Sequence, residues 1–297
     1  MANKKHTIVI LLFTGMLLLI HGKTYAKTWT NNSVVDTTIY TYQGDTTRQR
    51  VTEYSIANQL IHLDKLNITP GYKWTRLKDE SINSYRQDQF SVDVDWFTFA
   101  DFPGSRLGWH LNAWHLTTSS TFIANIYSGG WSFLSYGKNF YFDVFFTQSN
   151  YVDSQNEDKS NPVAQGNLSI EFSPGFSSSW LSLQFFSVRD NNAVLFVDPL
   201  YSAQIEWTQF IGRTGFPLPH MVMLGAQVGE QRYLVNSRLN SINNSPDSQV
   251  GGYWICVFWH LNDHLKSGLS LASSFYESNA MAHYKSFLSS IFFKIKW

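Results

Sequence analysis

The sequence has few of the residues that form disulfides or carry charge in soluble domains. Among its 297 residues there is one cysteine, Cys256, so no disulfide can form within the chain. Charged residues make up 15% of the sequence, against about 25% in a typical soluble domain. Basic and acidic residues are equal in number, which gives no reason to expect a nucleic-acid partner.

Long apolar runs are missing beyond the first 26 residues, which excludes a protein that crosses a membrane as helices. Residues 1–26 have the features of a cleavable signal peptide: Lys4 and Lys5 precede an apolar run over residues 8–20, and Ala26 offers a cleavage site. A membrane anchor is the alternative, but this run is shorter than the roughly 20 residues that a spanning helix needs. We therefore predict cleavage after residue 26 and a single domain over residues 27–297.

Aromatic residues are abundant, at 16% of the chain, and apolar residues alternate with polar ones. Residues 90–96 read Phe-Ser-Val-Asp-Val-Asp-Trp, and residues 168–172 read Leu-Ser-Ile-Glu-Phe. Alternation with a period of two is typical of a β-sheet with one apolar and one polar face. Two folds fit these strands: a soluble sandwich or lipocalin-like barrel with the apolar face inside, or a membrane barrel with the apolar face towards lipid.

The last strand favours the membrane barrel. Residues 285–297 read Lys-Ser-Phe-Leu-Ser-Ser-Ile-Phe-Phe-Lys-Ile-Lys-Trp, with apolar side chains at alternate positions back from Trp297. This segment resembles the closing strand of bacterial outer-membrane β-barrel proteins. The resemblance implies an all-β fold, a closed antiparallel transmembrane barrel in the bacterial outer membrane. It also implies outer-membrane lipids as partners, and barrel-assembly machinery that acts on the C-terminal strand.

The spacing of the alternating segments predicts about 14 strands. Short connections fall on one side of the barrel, and the longer polar ones, at residues 78–89, 118–130, 152–166 and 234–249, fall on the other. The weakest segments are residues 35–42 and 131–137. Without both, the count is 12.

If the apolar side chains face lipid, the opposite face of each strand lines the lumen. The acidic residues and one histidine on that face are candidates for binding a solute, namely Asp93, Asp95, His110, Asp143, Glu171 and Glu206. A basic cluster of Lys266, Lys294 and Lys296 is expected at the periplasmic end. A wall of carboxylates would favour cations or amine-bearing solutes, whereas acids and bases that pair across the lumen would only brace it.

Three functions remain open. The lumen favours a narrow passive channel or a solute-binding pore with a partly acidic lumen, so catalysis is not favoured. An enzyme acting on lipid or lipopolysaccharide is an alternative, because Asp95 and His110 lie at cross-strand positions where the carboxylate could orient an imidazole. Ser91 shares their face, but no serine is clearly placed to complete a triad. A structural or adhesive barrel with a blocked lumen is the third possibility. We predict no cofactor and no metal.

Overall fold

The structure is a computed structural model that describes residues 29–44, 48–79, 85–99, 105–119, 122–135, 139–153, 156–174, 178–191, 198–212, 218–236, 241–243, 247–277 and 283–297. The predicted signal peptide lies outside these residues. The strands are β1 (Trp29–Gly44), β2 (Arg48–His62), β3 (Leu66–Asp79), β4 (Tyr85–Phe99), β5 (Ser105–Thr118), β6 (Phe122–Ser135), β7 (Phe140–Asp153), β8 (Asn156–Phe172), β9 (Ser179–Asp190), β10 (Leu200–Phe210), β11 (Met221–Gln231), β12 (Leu234–Asn236), β13 (Ser241–Asn243), β14 (Ser248–His260), β15 (Leu265–Glu277) and β16 (His283–Lys296).

Fourteen of these strands form one closed antiparallel barrel, as the alternating segments predict. Each strand pairs with its neighbour along the chain, and β1 closes the barrel against β16 in a register that places Asn32 opposite Lys296. β12 and β13 form a separate two-stranded hairpin between β11 and β14. Among the described residues, no helix is long and apolar enough to cross a membrane.

Alternate residues of each strand face opposite sides of the wall. In β5, Trp109 and Leu111 are 56% and 65% exposed on the outer surface, whereas His110 and Asn112 between and beyond them are buried. Large apolar side chains are exposed in the same way on strands around the whole barrel. Examples are Val35, Ile56, Val92, Phe146, Phe185, Ile205, Leu224, Ile255, Leu271 and Ile291. A continuous apolar outer wall of this kind is what a hydrocarbon solvent requires.

Two connections that the sequence predicts to be long are short. The segment at residues 118–130 belongs mostly to β6, which begins at Phe122, and much of the segment at 152–166 belongs to β8. Gly129 and Gly130 give the first segment the composition of a loop, yet both lie in the middle of β6. Gly130 pairs with His110, and a Cβ there would collide with the Phe145 ring of β7, so the small residue leaves room for that inward-pointing ring.

For orientation, we call the end of the barrel with residues 29 and 297 the terminal end, and the opposite end the distal end. At the distal end the connection predicted at residues 234–249 is not simply an external loop. Val235 of β12 is completely buried and packs in an apolar core with inward-facing residues of β5–β10. The other members of this core are Trp114, Leu116, Ala124, Ile126, Tyr151, Val163, Phe186, Val188, Leu200 and Leu234. The polar lining predicted for the lumen does not extend to this end, where apolar side chains fill the barrel.

Candidate functional site

A cavity of about 800 Å³ lies inside the barrel along β1–β5 and β16. This volume is in the range of sites that hold a small organic molecule. β16 contributes the apolar side chains Leu288 and Phe292, and β7 contributes Tyr141 and Phe145. The polar side chains that line the cavity include Asp36, Thr38, Glu53, Ser55, Gln59, Asn67, Thr69, Lys73, Gln89, Ser91, Asp93, Asp95, His110, Asn112, Ser270 and Ser290.

Carboxylates outnumber cations around this cavity. The lining contains four carboxylates and one ammonium group, so its formal charge is −3 with neutral histidine. The carboxylates are those of Asp36, Glu53, Asp93 and Asp95, and the ammonium group is that of Lys73. Of the predicted candidates, Asp93, Asp95 and His110 are placed here together. Asp36 and Glu53 were missed, although both lie on alternating strands near the amino terminus, where the same parity argument applies.

Glu53 of β2 is held by side chains from both neighbouring strands, β1 and β3. Its carboxylate accepts hydrogen bonds from the Tyr40 hydroxyl at 3.3 Å and the Thr75 hydroxyl at 3.3 Å. The Lys73 ammonium lies 3.2 Å from the same carboxylate and forms a salt bridge with it. Lys73 therefore compensates much of the charge of Glu53.

A chain of hydrogen bonds crosses the four strands β3–β6 at one level of the wall. The Asn67 amide donates to Asp95 Oδ2 at 2.8 Å, and Asp95 Oδ1 lies 2.8 Å from His110 Nδ1. On the other side of the ring, His110 Nε2 lies 2.8 Å from Ser132 Oγ. The predicted Asp95–His110 pair is thus joined by a serine, but it is Ser132 of β6 and not Ser91.

Glycines make room for this chain. Gly108 pairs with Ser132, and Gly130 pairs with His110, so each polar side chain lies across from a residue without a Cβ. A Cβ on Gly108 would lie 2.5 Å from Ser132 Oγ and 3.0 Å from His110 Nε2. Phe145 packs against the His110 ring with 5.2 Å between ring centroids. Hydrogen bonds at both ring nitrogens and the packing of Phe145 therefore hold the His110 ring in place.

The basic cluster lies at the terminal end. Lys266, Lys294 and Lys296 line a smaller pocket of about 190 Å³ together with Asn32 and His264. Gln59, which lines the main cavity, accepts hydrogen bonds from Lys294 at 3.0 Å and from Asn32 at 3.3 Å. These three side chains lie where the main cavity and the basic pocket meet.

The remaining acidic candidates point inward but lie outside the main cavity. Asp143 is 2% exposed and borders a small void on the other side of the barrel. Glu206 accepts a hydrogen bond from the Trp254 indole at 3.1 Å. Glu171 is half-buried on β8, opposite Tyr141 and Ser182. The six acidic and histidine candidates therefore split into three that share one cavity and three that are spread along β7, β8 and β10.

Histidines also meet at the terminal end. The His220 and His260 rings are 4.0 Å apart between centroids in an edge-to-face arrangement. Burial, and then the neighbouring His260, lower the pKa of His220, which precedes β11. Within the described ranges, no group of three or more histidine, cysteine, aspartate or glutamate side chains could hold a metal ion.

No protein-family model and no curated protein matches this sequence. Among solved structures, the CymD monoaromatic hydrocarbon channel is similar at a TM-score of 0.55 and 8% identity, over 90% of this chain and 88% of that one. The Pseudomonas putida toluene transporter TodX has a TM-score of 0.52 and 7% identity, over 92% and 90%. A bacterial polysaccharide outer membrane secretin has a TM-score of 0.52 and 9% identity, over 90% and 98%.

The chain has the fold of bacterial outer-membrane β-barrel channels. At these identities the similarity concerns the architecture alone. The solute and the chemistry of the lumen have to be argued from the residues of this chain.

Proposed function

We propose that the protein is a narrow passive channel or solute-binding pore of the bacterial outer membrane, and that its solute is a small cation or amine. The observation that carries this proposal is the cavity of about 800 Å³ with its lining charge of −3. In a low-dielectric wall, an excess of carboxylates over cations attracts cations and excludes anions. CymD is named for monoaromatic hydrocarbons and TodX for toluene; the carboxylates here favour a charged solute instead.

The interior supports a narrow path and not a wide pore. The apolar core around Val235 fills the distal half of the barrel on the side of β5–β10. The main cavity lies on the side of β1–β5 and meets the basic pocket at Gln59 and Lys294. A barrel of this strand number falls between filled eight-stranded barrels and open 16-stranded porins.

We infer the orientation from the general rule for barrels of this kind. In outer-membrane barrels both chain termini face the periplasm, so the terminal end with its basic pocket is periplasmic and the distal end with β12–β13 faces outward. The apolar outer wall then contacts outer-membrane lipids. Because β16 resembles the closing strand of outer-membrane barrels, it is the segment on which barrel-assembly machinery would act.

The test is the reversal potential of the purified barrel in a planar bilayer under a salt gradient. We expect cation selectivity, and Asp93→Asn should reduce it because this substitution removes a carboxylate from the cavity. Glu171→Gln is the matched control, since it removes an inward carboxylate outside the cavity. An absence of both conductance and amine binding would refute the proposal, as would equal effects of the two substitutions.

A second candidate is hydrolysis of a small ester, and the Asp95–His110–Ser132 geometry favours it. Ser132 Oγ would attack the ester carbonyl and pass its proton to His110 Nε2, while Asp95 holds Nδ1. The imidazolium would then protonate the leaving alkoxide, and water would release the acyl group by the same route in reverse. Ser132 is only 3% exposed, so a substrate would have to reach it through the cavity that His110 lines.

A fluorophosphonate probe tests this second candidate directly. If Ser132 is a nucleophile, the probe labels it, and Ser132→Ala abolishes labelling. His110→Ala should slow labelling about 100-fold or more, since it removes the general base. Ser128→Ala is the control, because Ser128 is a buried inward serine of the same strand that instead accepts a hydrogen bond from Thr147. If Ser132 remains unlabelled, it is not a nucleophile, and the chain of hydrogen bonds only stabilises the barrel wall.

A further inference from the structure

Four basic side chains lie together on the outer surface of the barrel at its distal end. Arg50 is in β2, Arg76 and Lys78 are in β3, and Arg86 is in β4; we call them the outer basic cluster. Arg50, Arg76 and Lys78 are exposed, and the side chain of Arg86 is 43% exposed. All four occupy positions of the same parity as Tyr54 and Trp74 on the outer wall.

The cluster places like charges directly opposite each other. Arg50 pairs with Lys78 across β2 and β3, and Arg76 pairs with Arg86 across β3 and β4. Directly opposed side chains on an antiparallel pair have Cβ atoms about 4.5–5.5 Å apart, and like charges there destabilise the sheet. Two such pairs on three neighbouring strands are costly unless an anion lies between them.

The described residues supply little of that negative charge. Arg86 forms a salt bridge with Asp88 at 3.0 Å, and Asp88 also accepts a hydrogen bond from Tyr72. Among the side chains that the structure describes, none forms a salt bridge with Arg50, Arg76 or Lys78. The cluster thus presents three cations outward without a protein counter-charge among those residues.

An aromatic layer lies directly below the cluster, towards the middle of the barrel. Tyr54 and Trp74 stack with 5.3 Å between ring centroids, and the Arg86 guanidinium lies 5.9 Å from the Trp74 ring. Tyrosine and tryptophan mark the boundary between lipid headgroups and hydrocarbon. The cluster therefore lies at the height of the headgroups, with the apolar wall beneath it.

We propose that the outer basic cluster binds the phosphorylated headgroup of a lipopolysaccharide in the outer leaflet. Several phosphates on one headgroup match several cations on three strands, and guanidinium groups bind phosphate through paired hydrogen bonds. The acyl chains would lie along the apolar wall below Trp74. This proposal rests on the orientation given under the proposed function, in which the distal end faces outward.

The test compares lipopolysaccharide binding by the purified, refolded barrel and a triple variant, Arg50→Gln, Arg76→Gln and Lys78→Gln. Each cation near an anionic surface contributes about 1 kcal/mol, or about fivefold, so the triple variant should bind about 100-fold more weakly. Arg189→Gln is the control: Arg189 is an exposed arginine of the distal part of β9, and its partner on β8 is Ala164. It should change the affinity less than twofold.

Two further arms identify the ligand. Chemically dephosphorylated lipopolysaccharide should bind the wild-type barrel as weakly as the intact lipid binds the triple variant. Inorganic phosphate at the same phosphate concentration should not compete; if it does, the cluster is a site for free anions and the lipid assignment is wrong. Equal binding of intact lipid by wild type and triple variant overturns the proposal.

The outcome is separable from that of the channel test. The triple variant changes the outer wall only, so its conductance and cation selectivity should equal those of the wild type. A barrel that binds lipopolysaccharide through the cluster but conducts nothing would retain this proposal and reject the channel. A selective conductance with unchanged lipid binding in the triple variant would do the reverse.

Discussion

The side-chain amide of Gln165 hydrogen-bonds to both backbone polar groups of Val235. The Val235 N–H donates to Gln165 Oε1 at 2.8 Å, and Gln165 Nε2 donates to the Val235 carbonyl. The Gln165 side chain of β8 thus makes the hydrogen bonds to β12 that a neighbouring strand would otherwise make. Since Val235 is fully buried, its N–H depends on Gln165 for a partner, whereas its carbonyl also accepts a hydrogen bond from the Asn167 amide at 3.4 Å.

The first prediction concerns this anchor. Gln165→Leu should destabilise the packing of β12 by about 1–3 kcal/mol, because it leaves the buried Val235 N–H unsatisfied and the Val235 carbonyl with the Asn167 amide alone. We expect faster hydrogen exchange at Val235 and a larger or noisier conductance. Gln148→Leu is the control, since Gln148 is exposed on the outer wall of β7. Unchanged exchange at Val235 in Gln165→Leu would contradict the role of the anchor.

The second prediction tests which face of the wall meets lipid. Val92 is 47% exposed on the outer surface of β4, so Val92→Lys should cost about 2–4 kcal/mol in a bilayer. Thr69→Lys is the matched control, because Thr69 lines the cavity and lies opposite Asp93. Urea unfolding in lipid vesicles measures both. A larger loss for Thr69→Lys would mean that the two faces are reversed.

The third prediction concerns the space that Gly108 leaves for Ser132 and His110. Gly108→Ala places a methyl group 2.5 Å from Ser132 Oγ, so we expect a loss of about 1–3 kcal/mol from overpacking. Gly166→Ala should be close to neutral, because no atom lies within 4 Å of a Cβ built there. Urea midpoints of the two variants provide the comparison, and equal midpoints would argue against a tightly built hydrogen-bond chain.

The fourth prediction is a pH dependence at the terminal end. Burial and the nearby His260 lower the pKa of His220 below its ordinary value of 6.5. The unfolded chain therefore takes up a proton first as the pH falls, and the contribution of His220 to stability, complete above pH 6.5, decreases below it. The urea midpoint should fall between pH 7 and pH 5, and His220→Gln should flatten that slope. An unchanged slope would assign the pH dependence to other groups.

The alternation of side chains, together with the closing strand, predicted the barrel and its strand number. Burial follows that pattern closely in β5, where inward His110 and Asn112 are separated by outward Leu111. A period of two is a local property, so each strand can be assigned without knowledge of its neighbours. The placement of Asp93, Asp95 and His110 on one inward face followed for the same reason.

What the sequence could not predict depends on register and on contacts between distant strands. Ser132 was missed because residues 118–130 were interpreted as a loop, and so β6 could not be aligned with β5. Glycines such as Gly129 and Gly130 usually break strands, but here Gly130 leaves space for the Phe145 ring of β7. The apolar core was missed for a related reason: whether Trp114 contacts lipid or Val235 depends on a hairpin more than 100 residues away along the chain.

The pairing of β1 with β16 has a consequence for how the protein reaches its final shape. The Trp297 N–H donates to the Asn31 carbonyl, and its indole donates to Ser33, so the seam joins residues more than 250 positions apart. Until β16 has been synthesised, β1 has an unpaired edge that other chains could join. Contacts of such long range also form slowly. The newly made chain must therefore be kept apart from other copies of itself until β16 is available, and this one strand determines when that protection can end.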